Sequence, residues 1–198
     1  MTARRIGILG NGHVGSALAR GLTNAKHDVR AVGNEPAKIR ETASWAEIVI
    51  LAVPFNAIDS VLKEAGSLDG KTVVDATNAL GPEMQWALGF TTSGAEELQK
   101  KIPKARVVKA FNTVFAVHMD TGRVNNQQLT AFVAGNDADS KKSVLEIAGD
   151  IGFDAVDAGP LTNARLLEPL GYLNIQLGYV VGMGTQIGIK LLHDSKKK

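Results

Sequence analysis

Short apolar runs punctuated by glycine and proline set the rhythm of this chain. Residues 6–9, 29–32, 47–53, 72–74, 106–108 and 130–134 are such runs, and their apolar side chains do not alternate with polar ones. A strand with one wet face alternates, so unbroken runs predict strands covered on both faces, as in a parallel sheet. Helical patterns separate them: residues 17–22 and 57–65 place apolar side chains on one helical face, the mark of crossovers between parallel strands. Ser93-Gly94-Ala95-Glu96 matches a capping box, in which the serine oxygen accepts from an early amide and the glutamate reaches back. That helix is expected to run to about Lys101, with Pro103 ending it. Asp137 caps a helix expected to end near Gly149, and a last short strand at 155–157 precedes Gly159-Pro160.

The connection between residues 32 and 48 has room for one brief helix after Pro36, but not for a further strand and helix. After Pro160 the strand pattern stops. Residues 161–192 read as helices rich in small residues, with Pro169 near one start and Gly182-Met183-Gly184 interrupting. The expected fold class is α/β. It is a Rossmann-like, doubly wound, mostly parallel sheet at residues 1–159, with one abbreviated crossover. A C-terminal helical appendage follows at 160–198, where it closes a pocket, forms a homodimer or packs on its own chain.

Composition narrows the classes. The chain has 198 residues, 44% hydrophobic and 21% charged, which suits one globular domain with an appendage and excludes wholesale disorder. Its 22 basic and 20 acidic residues include the terminal run Lys196-Lys197-Lys198. Without that run the balance is nearly neutral, so charge gives no support for a nucleic-acid partner. The absence of cysteine excludes disulfides and thiolate-held metals. The four histidines, His13, His27, His118 and His193, show no metal-ligand spacing. No signal peptide is expected, because only the short run at 6–9 separates Arg4-Arg5 from the glycine loop that begins at Gly10. The apolar stretch at 170–189 contains Asn174, Gln176 and Gln186, so it reads as a packing helix rather than a membrane span. A cytoplasmic protein with no membrane partner is expected.

The strongest local signal is Gly10-Asn11-Gly12-His13-Val14-Gly15, placed directly after an expected strand and opening a helix. Each glycine has a physical task. Gly10 permits the tight turn, Gly12 lets a pyrophosphate approach the backbone, and Gly15 lets helix and strand pack closely. The helix end offers unpaired amides and a positive dipole to the phosphates. At the end of the second strand, Asn34 and acidic Glu35 are followed by Lys38 and Arg40. An acidic residue there suits the ribose hydroxyls of NAD and a cation the 2′-phosphate of NADP, so the signal is mixed. Ligands of open α/β sheets bind outside the carboxyl ends of the strands. This brings Ala52, Val53, Pro54 and Phe55, then Thr77 and Asn78, then Asn112 and Thr113 to one crevice. The four polar residues are candidates for the carboxamide or ribose of nicotinamide, or else turn residues bonding their own backbone. No side chain stands out as a catalytic acid or base, and there is no Gly-x-Ser-x-Gly elbow.

These motifs, together with Gly89-Phe90-Thr91-Thr92-Ser93-Gly94-Ala95-Glu96, Lys109-Ala110-Phe111-Asn112-Thr113 and Asp157-Ala158-Gly159-Pro160-Leu161, resemble the NADP oxidoreductases dependent on the deazaflavin coenzyme factor 420. The cytosolic domains of the membrane metalloreductases are close relatives of that family. The resemblance implies hydride transfer between NADPH and a deazaflavin, a small-molecule redox substrate. It implies a C-terminal helical part that completes the deazaflavin pocket and a homodimer. It sets Asn112 and Thr113 near the nicotinamide, Pro54 and Phe55 along the cofactor, and Gly159, Pro160 and Leu161, with Phe55, by the second substrate. The chain departs from the family at Gly33-Asn34-Glu35, where the usual arginine is missing, and in its short connection to the third apolar run. Both departures touch the adenine end, so NAD stays open beside NADP. Two other functions stay open as well. One is a dinucleotide-binding sensor or scaffold without turnover. The other is reduction of a small carbonyl or imine, for which Lys109 is the nearest lysine to donate a proton, unless it only braces the strand end.

Overall fold

The computed structural model describes residues 2–192 except 82, 84, 86 and 89. Gly89, His193 and the terminal lysine run lie outside the described residues. In chain order the first half is β1 (Arg5–Leu9), α1 (His13–Asn24), β2 (Asp28–Val32), α2 (Pro36–Trp45), β3 (Ile48–Leu51), α3 (Ile58–Ala65), β4 (Thr72–Asp75), α4 (Gly94–Lys101) and β5 (Arg106–Lys109). The second half is β6 (Arg123–Val124), β7 (Gln127–Gln128), β8 (Thr130–Gly135), α5 (Ala138–Ile151), β9 (Asp154–Asp157) and α6 (Ala164–Ile175). Seven strands form one sheet in the order β2-β1-β3-β4-β5-β8-β9. The first five are parallel, β8 runs antiparallel to β5, and β9 is parallel to β8.

This is the Rossmann-like α/β sheet expected from the sequence, shortened where the connection is short. From β2 the chain passes through α2 straight to β3, which pairs with the other side of β1. That leaves β2 at the edge of the sheet, half exposed. The inner strands explain the unbroken apolar runs. Ile6, Ile8, Ile48, Ile50, Val74 and Val108 join one buried cluster with α1 and α5. Their sequence neighbours Val49, Leu51, Val73 and Val107 join a second with α2, α3 and α4. Each strand is therefore apolar on both faces, and burial of these side chains drives the fold, at about 1.5–3 kcal/mol for each large one. No helix among the described residues is long and apolar enough to cross a membrane.

One element left no mark on the sequence, and three expectations need adjusting. The hairpin β6–β7 gives no apolar signal; its turn rests on Asn125, which takes φ 51°, a left-handed conformation that asparagine tolerates. Helix α5 continues past Gly149 to Ile151, and Gly152 at φ 121° ends it. Ser93 does accept from the Glu96 amide at 3.2 Å. However, the Glu96 carboxylate accepts from the Ser93 hydroxyl at 2.8 Å and from both arms of Arg165 at 2.8 and 2.6 Å. The acid thus ties α4 to α6. Finally, the C-terminal part is not helical throughout. After α6 a π-helical turn, Gln176–Val180, is followed by left-handed Gly182 (φ 84°) and Gly184 (φ 76°), which stop the helix. The chain then runs as an extended strap along the start of β8, where Thr130 N donates to Ile189 O at 3.0 Å and Leu191 N to Thr130 Oγ1 at 2.9 Å.

Candidate active site

The loop after β1 satisfies the geometric demands of a dinucleotide site. Gly10 lies at φ 115°, and a Cβ there would sit 2.2 Å from Ala52 O. A Cβ on Gly15 would sit 1.8 Å from Gly10 O, so only glycine lets α1 approach the strand end. Gly12 differs: a Cβ there meets nothing within 4 Å. Neither the fold nor its packing needs glycine at Gly12, and the open space beside it is what a bound phosphate requires. Gly12 is also the N-cap of α1, without a side-chain cap and without an acid in the first turn. The positive end of the helix is left free for an anion.

Three clefts meet over this loop. The first, about 560 Å³, is lined by Gly10, Asn11, Gly12, Asn34, Ala52, Val53 and Pro54 from the sequence reading. It also takes in Ile39, Ser60, Val61 and Glu64 from α2 and α3, which the sequence reading did not single out. Glu35 and Lys38 do not line it. Their side chains pair with one another at 3.0 Å, both more than half exposed.

The second cleft, about 290 Å³, lies past the loop toward the ends of β4 and β5. His13, Val14, Asn78 and Asn112 line it, together with Phe115, Gly171, Asn174 and Tyr179. Asn112 is aimed by an uncommon backbone. Phe111 before it holds φ 66°, a conformation costing about 1–2 kcal/mol outside glycine, and its ring is wholly buried, 5.9 Å from that of Phe153. The Asn112 amide donates to Asn78 Oδ1 at 3.0 Å and to Leu167 O at 2.8 Å. Asn78 Nδ2 donates back to Asn112 O at 2.9 Å. Two acceptors on the amide nitrogen fix the orientation of the side chain. Asn112 Oδ1 is then buried without a hydrogen-bond partner, as is Thr77 Oγ1 nearby. A buried polar atom left unpaired costs about 1–3 kcal/mol, which a bound donor recovers.

Helix α6 forms the wall of this pocket. Gly171 packs so closely that a Cβ would lie 2.7 Å from Asn112 O, and Asn174 donates to Thr113 O at 3.3 Å. What holds α6 there is a buried ionic cluster. Lys109 Nζ sits 2.9 Å from Asp75, 2.9 Å from Glu168 and 2.6 Å from Thr77 O, and all three charged side chains are fully buried. The Glu168 carboxylate also accepts from the Gly94 and Ala95 amides at 2.9 and 3.1 Å, at the start of α4. Burial disfavours the ammonium, but Asp75 and Glu168 outweigh it and raise the Lys109 pKa above that of an ordinary lysine. Lys109 is held as a cation bracing β4, β5 and α6; it lines none of the three clefts.

The third cleft, about 550 Å³, is bounded by Asn11, Gly12, His13, Ser16 and Arg20 on one side and by Phe115, Ala116, Val117, Tyr179 and Thr185 on the other. The residues expected by the second substrate lie elsewhere. Leu161 is buried in the second core, Gly159 O accepts from Gly135 N at 3.1 Å at the sheet edge, and Pro160 stands between them. Phe55 lies beside Gly94 and Asp59 in a separate recess of about 150 Å³. Thr77 and Thr113 are buried behind the second cleft rather than lining it.

The chain matches a family model described as NADP oxidoreductase coenzyme F420-dependent, over residues 5–45 and 40–79, which span the glycine loop through Thr77 and Asn78. It matches the family its motifs resemble. Among curated relatives, it is 32% identical over 150 residues to the F420-dependent NADP reductase of Methanocaldococcus jannaschii, covering 70% of this chain and 65% of that protein. It is 30% identical over 182 residues to metalloreductase STEAP3 of Rattus norvegicus, covering 85% of this chain and 36% of that protein. The chain thus spans about a third of one relative's length and just under two thirds of the other's. A crystal structure from Arthrobacter sp. FB24, provisionally assigned as an F420-dependent NADP-reductase, superposes with a TM-score of 0.87 at 28% identity, covering 96% of this chain and 100% of that one.

Proposed function

We propose that this protein is an NADP-dependent oxidoreductase carrying hydride between NADP(H) and a deazaflavin or flavin-like acceptor. The observation that carries the reading is the pairing of an open phosphate cradle at Gly12 with an oriented, partnerless Asn112 Oδ1 at the next cleft along. Both fit the dinucleotide. The adenosine half belongs in the cleft by Asn34 and Pro54, the pyrophosphate at Gly12 and His13, and the carboxamide at Asn112 and Asn78. When bound, NADPH supplies a hydride from C4 of its nicotinamide, and solvent supplies the proton that completes a two-electron reduction of the acceptor.

The residues of this chain do the rest by positioning. Asn112 fixes the ring through its carboxamide. Phe115 and Tyr179, edge to face with centroids 5.6 Å apart, give the pocket an aromatic wall. No charged acid–base pair lines the second cleft, which suits a step whose chemistry resides in the cofactors. Orientation can contribute on the order of 7–11 kcal/mol in favourable cases. The imine or carbonyl alternative loses its proton donor, because Lys109 is held as a buried, fully partnered cation. The reading includes a homodimer, supported by Leu166, Leu173 and Val180, which stand exposed at seven-residue intervals on the last helical elements.

Stopped-flow mixing of NADPH-loaded protein with oxidised deazaflavin, and then with a flavin, tests the function. Oxidation of NADPH by either acceptor is expected. A protein that binds NADPH but passes hydride to neither acceptor is a dinucleotide sensor instead.

A further inference from the structure

The buried ionic cluster lies behind the Asn78–Asn112 pair, and short stretches of chain tie it to each half. Lys109 stands three residues before Asn112, and its ammonium donates to Thr77 O at 2.6 Å, one residue before Asn78. Asp75 Oδ2 accepts from the same ammonium at 2.9 Å, and its Oδ1 accepts from Thr77 N at 2.9 Å, closing the turn that delivers Asn78. Glu168 acts from the other side. Its Oε1 meets Lys109 at 2.9 Å and accepts from Ala95 N at 3.1 Å, while Oε2 accepts from Gly94 N at 2.9 Å. A Cβ on Gly94 would sit 3.3 Å from each of these oxygens, so a side chain there would crowd the carboxylate. The neighbours of Glu168 on α6 touch the asparagines directly. Leu167 O accepts from the Asn112 amide at 2.8 Å. Gly171, three residues on and on the same helical face, packs so that a Cβ would lie 2.7 Å from both Asn112 O and Asn78 Oδ1. Any shift of α6 therefore reaches the Asn112 amide. Packed apolar side chains of similar volume often stabilise a core as well as a buried ionic cluster does. They lack its directed, charge-assisted hydrogen bonds, which set where a helix stands.

We propose that Glu168 is a positioning residue: through Leu167 and Gly171 it aims the Asn112 amide, so that Asn112 Oδ1 selects a nicotinamide with an intact carboxamide. The inference rests on placing the nicotinamide at Asn112. It adds that ring selectivity depends on a buried carboxylate that touches no ligand.

NADP+ and its 3-acetylpyridine analogue differ at one group. The analogue keeps the carbonyl but carries a methyl in place of the amide nitrogen, so it offers Asn112 Oδ1 no donor. Each is titrated calorimetrically into the full chain. The parent is expected to bind NADP+ tighter by on the order of threefold to tenfold, the range of one net hydrogen bond. Glu168→Gln should bring that ratio close to one by weakening NADP+ while leaving the analogue's affinity nearly unchanged; retained analogue binding reports that the variant is folded. Asn112→Ala should do the same, and the double variant should lose no more than either single one, as residues acting through one another do. If Glu168→Gln does not fold, Glu168→Asp keeps the charge but is one methylene too short to hold Lys109 and both α4 amides together, and the ratio should still fall. Variants that weaken both ligands alike, with the ratio kept, mark Glu168 as a structural brace alone and overturn the proposal. So does a parent that binds the two ligands equally, or an Asn112→Ala background in which Glu168→Gln still changes the ratio. These outcomes separate from failure of the function itself. NADPH oxidised with a ratio indifferent to Glu168 sinks only this inference, whereas a Glu168-dependent ratio without NADPH oxidation sinks only hydride transfer.

Discussion

The two ends of the crevice are built differently. At the end where we place the nicotinamide, polar groups are buried, oriented by one another and locked by α6. Asn78 and Asn112 exchange hydrogen bonds, and behind them lies a lysine between two carboxylates with no solvent exposure. At the adenosine end the sheet stops at its half-exposed edge strand β2, and the charged groups, Glu35 and Lys38, hold each other in solvent. In the proposed reading, position is over-determined where atoms react. Where, in that reading, a handle is merely held, solvent shares the work. Gly33-Asn34-Glu35, where the resemblance expects an arginine, falls on this solvent-shared end.

The sharpest way to break the rigid end is to remove one member of the buried cluster. Lys109→Met leaves Asp75 and Glu168 charged and unpaired, and Glu168→Gln leaves Lys109 underpartnered. Breaking a buried pair by removing one partner costs about 3–5 kcal/mol, so denaturant melts should show a large loss in midpoint for Lys109→Met. The pH dependence has a definite sign. The Lys109 pKa is raised in the folded state, so its stabilisation is complete below the ordinary lysine pKa and is lost as pH rises through the higher folded value. Parent protein should lose stability in strong alkali, and Lys109→Met should show less of that loss.

The glycine loop joins the two ends and separates folding from binding. Gly15→Val drives a side chain into Gly10 O and should unfold or severely destabilise the protein. Gly12→Val has open space and should fold normally, yet fill the phosphate site. Calorimetry is expected to show NADPH affinity reduced on the order of a hundredfold, about 2.7 kcal/mol. Unchanged affinity in a folded Gly12→Val variant removes the assignment of the site. Asn112→Ala acts further along. It should lower turnover, by on the order of tenfold to a hundredfold through a misplaced ring, with no new pH dependence. His13→Ala should matter much less in the same assay.

Sequence reading reached the glycine loop far better than the wall of the Asn112 pocket. The glycine loop is local: its three glycines, strand and helix lie within β1 and α1, and each task leaves a mark on the chain. The strands were legible because burial on both faces removes polar residues from residues 48–51 and 73–74. The residues of that wall were not legible, because Gly171 and Asn174 reach it, and Glu168 braces it from behind, on a helix far along the chain, and proximity in the fold leaves no periodic signal. A weaker clue did exist. Glu168 stands alone in Leu166-Leu167-Glu168-Pro169-Leu170, and Lys109 stands alone at the end of an apolar strand. A lone charge in a buried run needs a partner of opposite sign, and these two answer each other. The strap after Gly184 and the hairpin at Asn125 were missed for the opposite reason, since backbone hydrogen bonds rather than apolar side chains define them.

The smallest expected effect lies at the soft end, and it sharpens the comparison most. Glu35 repels a 2′-phosphate and occupies Lys38, a cation on the first turn of α2 that could hold one. It also suits the ribose hydroxyls of NADH, so the parent should discriminate weakly between the two cofactors. Glu35→Gln removes the repulsion and frees Lys38 in one step. Both side chains are more than half exposed, so each contribution is screened and worth about 0.2–1 kcal/mol. The ratio of NADPH to NADH affinity should therefore rise by roughly twofold to tenfold, and the gain should fade at about 1 M salt, where the Debye length falls to about 3 Å. Nothing buried changes, so the melting midpoint should stay where it was. A parent that already prefers NADPH beyond about a hundredfold, or a variant whose preference does not respond to salt, would show that groups other than Glu35 and Lys38 read the phosphate. The contrast between a rigid reacting end and a solvent-tuned handle would then fail at its softer side.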